Sequence, residues 1–280
     1  MYINNTNNTN IYMVEQLSVS NYSYKNWKDR FPDGKVKMEE VPIRGTWKKI
    51  FKDIRKAEPE KWDELNDILS DCMKFGTQVF PYPDLVFDAF NKTPFEKIKV
   101  IVVGQDCYYN EQTVGGKTCP EAMGLSFSVP KEIPIPSSLK NIYANALKNN
   151  QFMSPPTHGN LDFWAYQGCL MMNSALTVEK KTPNSHAHLW LWFTDKILEK
   201  LSKDREKLVF VFWGSSALER SKQVDSKKHD FVVSSHPSGL SCHTPLKKGL
   251  YPAFNNFDHF GKINEFLEKN KQKKIIWQIS

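Results

Sequence analysis

The sequence predicts an α/β protein, a three-layer α/β/α sandwich around a central four-stranded, mainly parallel sheet. Three observations carry this. First, four short apolar runs each end on small or polar residues. Ile98–Val103 runs into Gly104-Gln105-Asp106, Gly168–Met172 into Asn173-Ser174, Leu208–Phe212 into Trp213-Gly214-Ser215, and Phe231–Val233 into Ser234-Ser235-His236. Continuous apolar runs of this length mark strands buried on both faces. Second, helical stretches separate the runs, and strand then helix, repeated, places helices on both faces of one sheet. Third, no composition shift or internal repeat divides residues 46–280. Ligands of such sheets bind beyond the carboxyl ends of the strands. Asp106, Asn173, Ser215 and His236 are therefore expected along one edge, an acid, an amide and an imidazole together.

The elements follow in order. Residues 1–20 open on Asn4-Asn5-Thr6-Asn7-Asn8-Thr9-Asn10 and are expected to form a disordered, Asn-rich tail. Within it and just beyond, Gln16, Val19 and Tyr22 resemble a sliding-clamp-binding spacing, which implies a contact with the replication machinery. Residues 21–45 read as an extended connector, with folding expected to begin at Thr46-Trp47. Helices are expected over 46–56 and 59–74; in the second, Trp62, Leu65, Ile68, Leu69 and Cys72 share a stripe. Phe80-Pro81-Tyr82-Pro83 is a proline-stiffened loop. Ser137 or Ser138 can cap a helix reaching Asn149, and Asn184 or Ser185 another, with Leu189, Trp192, Phe193, Ile197 and Leu201 inward. Further helices follow Gly214 and cover 259–270.

Composition narrows the function classes. With 280 residues, 40% hydrophobic and 25% charged, the chain can bury a large core. A formal charge of +7 fits either a lysine-rich surface or an anionic partner such as a nucleic-acid backbone. The five cysteines (72, 107, 119, 169 and 242) form no C-x-x-C pair, which argues against an iron–sulfur cluster or a zinc ribbon. An odd, irregular set points to a reducing, intracellular setting. No apolar run approaches membrane-spanning length and no signal-peptide core is visible, so no membrane association is expected. His186 and His188 stand too close together for an i,i+4 metal pair and read as helix-start residues.

Six segments carry a family resemblance. Gly104-Gln105-Asp106-Cys107-Tyr108-Tyr109 resembles the water-activating loop G-Q-D-P-Y-H of the family 1 uracil-DNA glycosylases. Gly124–Val129 is similar to the family's uracil-stacking segment, and Ile133–Leu139 to its Pro-rich loop. Leu170–Val178 is similar to its base-reading strand, Trp213-Gly214-Ser215 to a phosphate-contacting turn, and Ser235–Ser241 to its intercalation loop H-P-S-P-L-S. They occur in the family's order.

The resemblance implies hydrolysis of the N-glycosidic bond of uracil in DNA. Free uracil and an abasic site result, as the first step of base excision repair by a monofunctional enzyme. Asp106 and His236 are implied to be catalytic. Asp106 orients a water and offsets charge on the sugar, and a neutral His236 hydrogen-bonds the departing uracil anion. Gln105, Tyr108, Phe127 and Asn173 are implied to bind uracil. Asn173 pairs with O4 and N3, Phe127 stacks, and Tyr108 refuses the thymine methyl. Ser138, Ser215, Ser238, Pro134 and Pro136 are implied to grip the DNA strand, and Leu240 to wedge into the duplex. No cofactor and no metal are expected, because the chemistry stabilises a leaving group. Expected partners are uracil-containing single- or double-stranded DNA and a proteinaceous glycosylase inhibitor. A monomer is expected, located intracellularly wherever the DNA is. The competing reading is a catalytically weak or inactive DNA-binding or replication accessory protein on the same fold.

Departures from the pattern motivate that competitor. Cys107 replaces a proline, Tyr109 a histidine and Gly239 a proline. Cys107 is expected to be a spectator, since no adjacent base lowers its pKa. The segment 110–123 is longer than in the family; it reads as a flexible surface loop in which Lys117 reaches DNA. Lys247 and Lys248 are expected to replace a compact basic segment.

Overall fold

The computed structural model describes residues 16–279. Four strands form the central sheet: β2 (Val100–Gly104), β5 (Cys169–Asn173), β7 (Val209–Trp213) and β8 (Asp230–Ser234). Their order is β5-β2-β7-β8 and every pairing is parallel. Two short sheets accompany it, β1 (Val79–Phe80) with β6 (Val178–Glu179) and β3 (Glu111–Val114) with β4 (Lys117–Pro120). The helices are α1 (Trp27–Arg30), α2 (Trp47–Ala57), α3 (Pro59–Lys74), α4 (Asp88–Lys92), α5 (Ser137–Lys148), α6 (Asp162–Tyr166), α7 (Ala187–Asp204), α8 (Ser215–Glu219) and α9 (His259–Lys269).

Register explains why the strand ends meet. Gly104 lies opposite Asn173, Val103 opposite Phe212, and Trp213 opposite Ser234. Each strand therefore stops at nearly the same height and hands its next residues to one rim. The chain steps from β2 to β5 on one side, then crosses to β7 on the other. This creates the topological switch point at which α/β sheets take ligands. All residues of β2, β5 and β7 are buried, as strands covered on both faces require.

Several expectations change. The connector is part of the packed body: Trp27, Phe31, Val36, Met38 and Val41 are buried. Trp27 Nε1 donates to Pro81 O at 3.0 Å, Val36 N to Ser70 Oγ at 2.8 Å, and Met38 N to Asn66 Oδ1 at 2.9 Å. Packing thus begins well before Thr46. Of the expected tail, residues 1–15 lie outside the described residues. Residues 17–19 are packed: Leu17 and Val19 are buried with Ile133 and Val129, and Val19 N donates to Lys131 O at 3.1 Å. Tyr22 is buried as well, so Val19 and Tyr22 are spent on packing and are not displayed as a clamp-binding motif.

The segment 110–123 is a β-hairpin rather than a flexible loop. Gly115 and Gly116 both take positive φ (58° and 79°), the two-residue turn that matches strand twist. Lys117 Nζ donates to Ser20 O at 3.3 Å, a protein contact where a DNA contact was expected. In α7 the buried tryptophan is Trp190, and Trp192 is half-buried beneath Lys61. The expected serine and asparagine caps are not used: α5 starts after Pro136 and α7 after His186, neither with a side-chain cap bond. Among the described residues no helix is long and apolar enough to cross a membrane.

Candidate active site

Asp106 sits two residues past β2, half-buried, with both carboxylate oxygens engaged. Oδ1 accepts from Cys107 N at 3.0 Å and Oδ2 from Asn184 N at 2.6 Å. Burial pushes its carboxyl up to about 6 against the pull of those two N–H donors. Gln105 Nε2 donates to Asn184 Oδ1 at 2.7 Å, so one residue steadies both neighbours of the loop. Asn184 has φ 62°, a left-handed conformation that asparagine tolerates better than most residues. Its tie to Asp106 was not legible in the sequence, although the residue type suits such a turn.

Asn173 ends β5 and is 5% exposed. Its Nδ2 donates to Cys107 Sγ at 3.4 Å, and the Cys107 thiol donates to Ala175 O at 3.4 Å. Cys107 is thus buried between the two strand ends. Burial, and then the Asp106 carboxylate beside it, raise its thiol far above the usual range, so it stays protonated. The remaining N–H of Asn173 is unspent, and Oδ1 accepts no hydrogen bond from the described residues. Gly104 makes room for this amide: a Cβ there would overlap Asn173 Oδ1 and lie 2.7 Å from Ser126 Cβ.

The aromatic wall is next. Phe127 is half-buried with φ 62°, an unusual backbone for an aromatic residue. Its ring meets Trp213 edge-on at 5.6 Å between centroids and lies tilted beside His236 at 5.9 Å. Tyr108 OH donates to Phe127 O at 3.2 Å, tying the β2 loop to that wall. His236 Nδ1 accepts from Ser238 N at 3.0 Å, which leaves the ring proton on Nε2. Burial lowers its pKa to about 4, so the imidazole is neutral at physiological pH. Gly214, at φ 95°, lets the β7 turn approach; a Cβ there would stand 3.0 Å from His236 Cβ.

The contacts therefore bring together Asp106 with Gln105 through Asn184, Asn173 with Cys107, and Tyr108, Phe127 and His236 with one another. The remaining expected residues line the rim. Ser215 is exposed at the start of α8, Ser138 is half-buried in the first turn of α5, and Pro134 and Pro136 flank Ile135 just before it. Ser238 is half-buried, and Leu240 is 97% exposed. Asn141 of α5 donates to Pro237 O at 2.7 Å, a link between the two rim loops that sequence reasoning did not identify. Chemically, the site offers a desolvated carboxylate, a neutral N–H donor and an unpaired amide edge beside an aromatic face. That set suits recognition and displacement of a planar heterocycle.

Known proteins are similar to this chain in sequence and in fold. Residues 90–268 match the model of the uracil DNA glycosylase superfamily. A probable uracil-DNA glycosylase of Acanthamoeba polyphaga mimivirus is 38% identical over 94% of this chain and 72% of its own length. The uracil-DNA glycosylase of Helicobacter hepaticus is 34% identical over 87% of this chain and 98% of its own. The crystal structure of mimivirus uracil-DNA glycosylase superposes with a TM-score of 0.89 at 38% identity, covering 96% of this chain and 99% of that one. A variant of that viral protein, solved in complex with UGI, gives a TM-score of 0.88 over 94% and 99%. On sequence and fold together, the chain belongs to the uracil DNA glycosylase superfamily.

Proposed function

We propose that the chain excises uracil from DNA by hydrolysing its N-glycosidic bond, leaving an abasic site. The observation that carries this is the state of His236. With Nδ1 already accepting from Ser238 N–H, the neutral ring offers one donor, Nε2–H, from the rim on which Asp106 and Asn173 also stand. A neutral donor suits an oxyanion that develops only as the bond breaks, since it does not over-bind the ground state.

The target nucleotide leaves the duplex and enters the site. Phe127 stacks on the base. Asn173 presents its free N–H to uracil O4 and its Oδ1 to N3–H; cytosine reverses the pattern at position 4 and leaves the amide unpaired. Tyr108, fixed through its hydroxyl on Phe127 O, stands against C5 and refuses a methyl group. Asp106 orients the attacking water and, as a carboxylate, offsets positive charge on the sugar. His236 holds the departing uracil anion. No lysine stands among these residues, so a Schiff base with the sugar is not formed. Ser138, Ser215 and Ser238 hold phosphates, Pro134 and Pro136 stiffen the loop that meets the strand, and Leu240 fills the vacated stack. A proteinaceous inhibitor is a further partner of this reading, since the variant of the viral protein was solved in complex with UGI.

The test is uracil release from a single-uracil oligonucleotide, read as alkali-labile cleavage. Asp106→Asn is expected to lower kcat roughly 10²–10⁴-fold with little loss of DNA binding. Equal turnover by the variant overturns the assignment.

A further inference from the structure

Away from this rim, three side chains from three elements converge beneath the start of α7. Cys72 is in the last turns of α3, Glu179 ends β6, and His186 immediately precedes α7. Cys72 Sγ lies 3.8 Å from Glu179 Oε1 and 3.8 Å from His186 Nε2, and His186 Nε2 lies 3.7 Å from Glu179 Oε1. The nitrogen–oxygen separation is too long for a hydrogen bond and the two sulfur contacts are long, weak thiol hydrogen bonds, whereas all three are ordinary separations between ligands of one metal ion. The centre of a near-equilateral triangle with those edges lies about 2.2 Å from each corner. Zinc bonds run to about 2.3 Å for sulfur, 2.0–2.1 Å for imidazole and 2.0–2.2 Å for carboxylate.

We propose that Cys72, Glu179 and His186 form a binding site for a thiophilic divalent cation of the zinc class.

A second observation supports it. His186 is 1% exposed, and the Cys72 thiol at 3.8 Å is the sole hydrogen-bond partner of its Nε2 among the described residues. Its other nitrogen is held: Nδ1 pairs with Thr177 Oγ1 at 2.9 Å, and Thr177 Oγ1 accepts from Trp190 Nε1 at 2.7 Å. In the cation-bound form the proton would sit on Nδ1, facing Thr177 Oγ1, and Nε2 would present its lone pair to the cation, the outer-shell arrangement that orients metal-binding histidines. Ser185 Oγ accepts from Glu179 N at 2.8 Å and fixes the carboxylate's backbone. Glu179 is partly exposed and supplies the entry path. The donor set mixes sulfur, nitrogen and oxygen, which disfavours magnesium and calcium. On binding, Cys72 releases its thiol proton to solvent, and a fourth position remains for water.

The site has a structural consequence. Asn184 and Ser185 lie in the short segment between Glu179 and His186, and Asn184 N is the donor to Asp106 Oδ2. A cation would therefore pin the turn that supports the acid, without entering the reaction. The sequence did not disclose the cluster, because 107 residues separate Cys72 from Glu179.

The experiment uses the full-length protein, stripped with a chelator and titrated with Co²⁺. The expected result is one equivalent bound, with a sulfur-to-cobalt charge-transfer band and intense tetrahedral d–d bands, all displaced by Zn²⁺. Cys72→Ser should abolish the charge-transfer band. Glu179→Gln should retain it with affinity lowered tenfold or more. Circular dichroism checks that both variants fold. Absence of saturable binding, or a charge-transfer band that survives in Cys72→Ser, overturns the proposal. Should Cys72→Ser fail to fold, Glu179→Gln decides alone, and wild-type affinity there refutes the site.

Discussion

Two parts of the same rim are built on opposite principles. On the β2–β5 side, Asp106, Cys107 and Asn173 are held by backbone donors and by one another, with Gly104 beneath them leaving no spare volume. On the loop after β8, Leu240 is 97% exposed, Leu250 is 70% exposed, and nothing lies within 4 Å of a Cβ added at Gly239. The contrast teaches where precision is needed. Bond cleavage and base reading depend on atoms held to fractions of an ångström. Insertion into a duplex needs reach and apolar area, and it can be completed by the DNA itself.

The most severe way to break the contrast is Gly104→Ala. Its Cβ overlaps Asn173 Oδ1, so the amide must turn away from the base edge. A fall in kcat/KM of about 10²-fold is expected on single- and double-stranded substrate alike, measured with matched uracil oligonucleotides. A neutral effect would mean that the close packing on the β2–β5 side is irrelevant. Leu240→Ala probes the other part. Losing a buried leucine costs about 1.5–3 kcal/mol, so duplex excision should drop roughly tenfold or more while single-stranded excision is unchanged. Equal losses on both substrates would place Leu240 outside the intercalating role.

The pH profile sharpens the comparison. Asp106 acts as a carboxylate and its pKa is raised to about 6, so kcat/KM is full above that pH. It should decline about tenfold per unit below. His236, lowered to about 4, stays neutral across that window and adds no limb there. A midpoint near the ordinary aspartate value would show that Asp106 is not desolvated. The smallest effect is expected from Gly239→Pro. The open space there and the removal of unfolded-loop freedom, about 0.4–1 kcal/mol, predict a two- to fivefold gain on duplex substrate at low concentration.

The sheet and the site segments were legible because both are local patterns: an apolar run, then the residues it delivers. Asp106, Asn173, Ser215 and His236 stand at or just past the ends of the four strands, as the apolar runs predict, whereas Phe127 follows no strand of the central sheet and was suggested by the family resemblance alone. What stayed hidden depends on distant partners. Leu17 and Val19 follow an asparagine-rich run that looks unable to fold, yet Asn160 Nδ2 donates to Leu17 O at 3.1 Å and both side chains are buried in one cluster with Ile133. The hairpin at 111–120 carried a local signal, Gly115-Gly116, which a polar composition obscured. The choice between Trp190 and Trp192 turns on helical phase against α3, which periodicity alone leaves ambiguous. Cys107 was expected to be a spectator to the acid, but its placement against the Asn173 amide could only be seen once β2 and β5 were aligned.

The left-handed backbone at Phe127 carries a liability of its own. A bulky residue held there costs on the order of 1–3 kcal/mol, which the surrounding fold must offset. Screening for thermal robustness alone would favour glycine at this position, and such a survivor would melt later while losing the flat surface on which a nucleobase rests. Hardiness and repair competence therefore pull this one residue in opposite directions.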